Sequence, residues 1–98
     1  MTRSRRDGPA AQSAGWPDVK IAGDTSREAA RLFARALRDA TNGWTVRQIE
    51  NATGVDDSVI SRILSGKSWP DARTIARLEN GLDRDLWPGK VVGKDRSA

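Results

Sequence analysis

The sequence predicts an all-α fold, a compact bundle of four to five helices confined to the middle of the chain. Three observations lead there. The spacing of a hydroxyl residue followed three positions later by Glu or Gln occurs twice ahead of apolar runs, at Thr25-Ser26-Arg27-Glu28 and at Thr45-Val46-Arg47-Gln48; it marks helix starts. The apolar residues that follow return at three- and four-residue steps, the period of one helix face. No alternating apolar and polar run of strand type interrupts them.

Thr25 opens the first expected helix, and Ala29, Phe33, Ala36, Leu37 and Ala40 form its apolar stripe, with Arg27, Arg31, Arg35 and Arg38 placed elsewhere on the barrel. Asn42-Gly43 ends it. Thr45 caps a short second helix with Val46, Ile49 and Ala52 turned inward, and Gly54 permits the tight turn that closes it. Asp56 or Asp57 caps a third helix running through Leu64 to Ser65-Gly66, with Ile60, Ile63 and Leu64 inward and Asp57, Ser58, Ser61 and Arg62 outward. Pro70 forbids continuation, and Asp71 offers a fresh cap. The fourth helix buries Ile75, Leu78 and Leu82 and is expected to break at Gly81, leaving one further turn from Asp83 to Trp87.

The flanks read differently. Residues 1–24 are small, charged or helix-breaking and are expected to form a flexible basic arm, residues 25–88 the folded unit, and residues 89–98 a disordered basic tail. Trp-Pro-Asp occurs at Trp16 and again at Trp69, but the residues after it do not match, so it is not taken as a repeat.

Composition narrows the function. Seventeen Lys and Arg against thirteen Asp and Glu give a formal charge of +4, a mild preference for an anionic partner. Cysteine, histidine and tyrosine are absent, which removes disulfides, thiolate and imidazole metal ligands and the commonest general base. No enzyme, metal or cofactor is expected. The longest uncharged run, Gly8 to Pro17, is neither a membrane span nor the apolar core of a signal peptide, so a cytoplasmic, nucleoid-associated location is expected.

A short helix, a glycine turn and a second short helix with a polar outer face is the arrangement that major-groove reading requires. The residues Val46-Arg47-Gln48-Ile49, Thr53-Gly54-Val55, Ser58 to Lys67, Pro70 and Thr74 to Glu79 resemble the helix-turn-helix regulators of the phage repressor and Cro type. The resemblance spans roughly Arg31 to Trp87, and the run Val59 to Lys67 followed by Trp69-Pro70 is similar to actinobacterial and actinophage members. It implies a repressor-like DNA-binding domain in which Asp57, Ser58, Ser61 and Arg62 face base edges, while Thr45, Arg47, Gln48, Lys67 and Ser68 meet phosphates. Glu50 stands where such proteins commonly carry a small residue, so its carboxylate should turn outward or find a cation.

Several positions admit two roles. Arg62 either pairs with guanine or forms a surface salt bridge with Asp57 or Asp39; Asp57 either caps its helix or accepts from cytosine. Arg3, Arg5 and Arg6 either follow DNA or belong to an unstructured leader. Trp44, Trp69 and Trp87 either seal core edges or stack on bases, and Trp87 with Leu82 and Leu86 could instead meet a second copy, since such readers commonly bind palindromic sites as homodimers. The expected function is a sequence-specific regulator of double-stranded DNA, a repressor. The alternative is an antitoxin or anti-repressor type of module whose main partner is a protein.

Overall fold

Helix α1 (Thr25–Ala40) is 16 residues long and is the longest of the four among the described residues, followed by α2 (Val46–Thr53), α3 (Asp57–Ser65) and α4 (Ala72–Leu82). The structure, a computed structural model, describes residues 7–91. No strand occurs among the described residues, and no helix there is long and apolar enough to cross a membrane.

The start of α1 lies one residue earlier than the capping-box spacing suggests. Asp24, in extended conformation, is the cap, and its Oδ1 accepts the N–H groups of Ser26 at 3.1 Å and Arg27 at 3.2 Å. A carboxylate placed before the first turn satisfies two otherwise free donors and adds negative charge where the helix dipole favours it. The Ser26 hydroxyl, which also donates to Asp24, and then these backbone hydrogen bonds hold the Asp24 carboxyl below its usual range. Glu28 is thereby released from capping and serves elsewhere.

The core joins Phe33, Ala34 and Leu37 of α1 to Ile49, Val55, Ile60, Ile63, Leu78 and Leu86. Val46, Leu64, Ile75 and Leu82 pack on it half-buried, whereas Ala52, expected inside, is exposed. Helix α2 packs on both α3 and α4, and α1 packs on α3.

Gly81 does not break α4. It lies inside the helix, where α4 crosses the end of α2 so closely that a Cβ would come within 2.6 Å of the Thr53 Cα. The helix ends at Asp83, which takes the left-handed conformation with φ 55. No fifth helical turn forms from Asp83 to Trp87. Instead the Glu79 carboxylate accepts the N–H groups of Leu86 and Trp87, both at 2.8 Å, and folds this stretch back so that Leu86 enters the core.

The largest departure concerns the stretch before α1. Residues 7–24, expected to be part of a flexible arm, lie against α1 and the end of α3, with Pro9 and Ile21 buried. Trp16 packs against the core, and the remaining contacts are polar and reach residues distant in sequence, made mostly through the backbone of this segment. The Ile21 N–H donates to Glu28 at 2.7 Å, Arg31 donates to the Pro17 carbonyl at 2.9 Å, and Arg27 donates to the carbonyls of Pro9 and Ala11. Glu28, expected to serve the helix cap, and Arg31, expected off the apolar stripe, are buried together as an ion pair at 2.6 Å. The Arg31 guanidinium holds the Glu28 carboxyl below its usual range against the opposing effect of burial. Arg3, Arg5 and Arg6, with residues 92–98, lie outside the described residues.

Candidate nucleic-acid interface

Local sequence fixes where α2 begins. The Thr45 hydroxyl accepts the Gln48 N–H at 3.1 Å while the Gln48 side-chain oxygen accepts the Thr45 N–H at 2.8 Å. This reciprocal pair engages the two side-chain oxygens as acceptors and leaves the Thr45 hydroxyl proton and the Gln48 amide protons, on two exposed residues, as donors for an anion. Arg47 between them is 74% exposed at its side chain.

Gly54 makes the turn between α2 and α3, with φ 77, a conformation that costs a residue bearing a Cβ about 1–2 kcal/mol. Val55 follows into the core, and Asp56 caps α3 by accepting the N–H of Ser58 at 3.0 Å and its hydroxyl at 3.1 Å. Those hydrogen bonds hold the Asp56 carboxyl below its usual range. Of the two aspartates that could cap, Asp56 does so. Asp57 stands in the first turn with its carboxylate half exposed, 4.0 Å from Arg47.

Helix α3 then divides by its period. Ile60 and Ile63 are 0% and 2% exposed, whereas Ser58, Ser61 and Arg62 are exposed together on the other side. No carboxylate lies within salt-bridge distance of Arg62 among the described residues, so neither Asp57 nor Asp39 pairs with it as the salt-bridge reading required. After α3, Gly66 turns with φ 77, and the N–H groups of Lys67 and Ser68 return to the Arg62 carbonyl at 2.9 and 3.3 Å. Lys67 is exposed and Ser68 half-buried.

The structure thus brings the starts of α2 and α3 together through Arg47 and Asp57, and it leaves Ser61, Arg62 and Lys67 as exposed donors along and just beyond α3. Glu50 is half-buried and turns toward Arg47, 3.9 Å away, the outward escape its position demands. Trp44 and Trp87 are 44% and 40% exposed, more open than core edges would be. Trp87 nevertheless rests on Phe33, ring centres 6.0 Å apart, and Trp44 walls a shallow cleft with Val46, Ile49 and Leu64. Trp69 neither seals the core nor stands free, since its indole N–H donates to the Asp7 carbonyl at 2.8 Å.

Sequence reasoning missed Trp16. Its indole N–H donates to the Leu64 carbonyl in the last turn of α3 at 2.9 Å. The available signal was a large aromatic ring inside a stretch otherwise made of small residues, costly to leave in water. No group of three or more acidic residues that could hold a metal ion occurs among the described residues.

A family model described as helix-turn-helix matches residues 35–86. The matched stretch contains α2, α3 and α4 complete and begins inside α1. No curated protein and no solved structure matches the chain.

Proposed function

We propose, for a chain that belongs to the helix-turn-helix family of DNA-binding regulators, that it is a sequence-specific repressor which lays α3 in the major groove and occupies an operator. The observation that carries this reading is the division of α3. Ile60 and Ile63 are shut in the core, and its hydroxyls and one guanidinium face outward on a helix capped at both ends. Nine residues of helix rise about 13 Å, a length suited to a groove about 12 Å wide.

In this reading Arg62 pairs with guanine O6 and N7, a contact that discriminates by about 1–3 kcal/mol. Ser58 and Ser61 donate or accept at neighbouring edges. Asp57, freed from capping, accepts from cytosine N4 and disfavours other bases by repulsion. Thr45, Arg47, Gln48, Lys67 and Ser68 hold phosphates on either side, adding affinity without sequence information. The basic residues Arg3, Arg5 and Arg6 join the DNA backbone. A second copy meets the first across the exposed Trp87 and the half-buried Leu82, which makes the operator a palindrome.

Selection of bound sequences from a random duplex pool tests this directly. Recovery of an inverted repeat whose half-sites lie about 34 Å apart, one helical turn, supports the reading. Recovery of no preferred sequence by the folded protein overturns it in favour of a module whose partner is another protein.

A further inference from the structure

The last four carbonyls of any helix lack a partner within it, and those that are buried must find one outside. In α3 the carbonyls of Arg62 and Ile63 are met by the turn itself, through the N–H groups of Gly66, Lys67 and Ser68. The Leu64 carbonyl is met by the Trp16 indole, and one residue past the helix the Gly66 carbonyl accepts the Ala10 N–H at 3.0 Å. Gly66 is buried beneath these residues, and a Cβ on it would lie 2.7 Å from the Trp16 ring. Gly8 lies as close to Lys67, since a Cβ there would come within 2.5 Å of the Lys67 carbonyl oxygen.

The far end of the same segment is fastened to α1. Pro17 and Ile21 bind the buried Arg31 and Glu28, and Asp18 pairs with Arg38 at 2.9 Å. The segment therefore bridges from α1 to the end of α3 and the start of the Lys67 loop, with the Trp16 ring also resting on the core.

We propose that residues 7–21 are a strap that sets the position of the loop after α3, so that Trp16 is a positioning residue for DNA binding. It acts through Leu64 and Gly66 on Lys67, and this role rests on the DNA-reading function proposed above. With the strap fastened, the Lys67 ammonium is presented from a backbone held on two sides. With it loosened, the loop keeps only its own turn hydrogen bonds, and the phosphate contact of Lys67 is lost even though Lys67 itself is intact.

The test compares wild type, Trp16→Phe, Lys67→Ala and the double variant on the selected operator at 50 and 200 mM salt. Phenylalanine keeps an aromatic ring and removes the N–H, and circular dichroism confirms the fold of each variant. Loss of one phosphate contact lowers the salt slope by about 0.9, so the fourfold rise in salt should cost wild type about 3.5-fold more affinity than Lys67→Ala, and Trp16→Phe, whose loop keeps the Ala10 and Asp7 hydrogen bonds, should fall between the two. The double variant should fall no further than Lys67→Ala, because both changes act on the same contact. A Trp16→Phe protein with the wild-type slope, or a double variant that loses the product of the two single effects, overturns the strap. A folded wild type that selects no sequence contradicts the DNA-reading proposal itself, a different outcome from wild-type binding that Trp16→Phe leaves unchanged.

Discussion

Replacing Gly81 by alanine should destabilise the protein, although alanine is the better helix former. In an open helix the change is worth about 1 kcal/mol in favour of alanine. Here the new methyl would lie 2.6 Å from the Thr53 Cα, 2.7 Å from the Ala52 carbonyl oxygen and 2.9 Å from the Thr53 Cγ2. The two nearest atoms are backbone and cannot rotate aside, so α2 and α4 must separate. Overpacking costs about 1–3 kcal/mol, and contacts this short on main chain belong at the upper end. The net loss is about 1–2 kcal/mol, or about 4–16 °C in Tm for a domain of this size. Thermal unfolding followed at 222 nm measures it, with Asn80→Ala, an exposed neighbour on the same helix, as the control expected to gain a few tenths of a kcal/mol or more from propensity alone. A Gly81→Ala protein that melts at or above wild type would refute the close crossing of α2 and α4.

Glu28→Gln leaves Arg31 buried without its counter-ion and should cost about 3–5 kcal/mol in urea unfolding; a loss under about 1 kcal/mol would mean that water reaches the pair. The Glu28 carboxyl is lowered in the folded state, chiefly by the Arg31 hydrogen bond. Its contribution is therefore complete above the ordinary glutamate range and is lost as pH falls through the lowered value, so wild type should lose stability on acidification more steeply than Glu28→Gln. Glu50→Gln removes a carboxylate 3.9 Å from Arg47 and should raise affinity for non-specific duplex, read by fluorescence anisotropy at low salt; unchanged affinity would place Arg47 away from the phosphates.

Helices were legible where their punctuation was local. The Thr45 box, Gly54, the Gly66 turn and the Asp71 cap could be read from residue type and spacing, because each satisfies free backbone groups within four residues. The outward face of α3 followed from the same period that buries Ile60 and Ile63. The segment before α1 was not legible. It binds through carbonyls of Asp7, Pro9, Ala11 and Pro17, groups that every residue type possesses and that no pattern marks. Gly81 misled because a glycine near a helix end reads as a stop, while its reason for being there is a partner helix distant in sequence. Glu28 fitted a local cap by spacing but found a longer-range partner in the Ile21 N–H, since Asp24 already held the helix start.

The part assigned to α3 is decided most directly by one guanine atom. Replacing each guanine of the selected half-site in turn by 7-deazaguanine removes the N7 acceptor and leaves Watson–Crick pairing intact. At one position the substitution should weaken wild-type binding by about 1–3 kcal/mol and should leave Arg62→Ala, already weakened, with no further loss. If Arg62→Ala remains as sensitive as wild type at every guanine, the exposed guanidinium of α3 is not at the base edges and the helix does not read the groove.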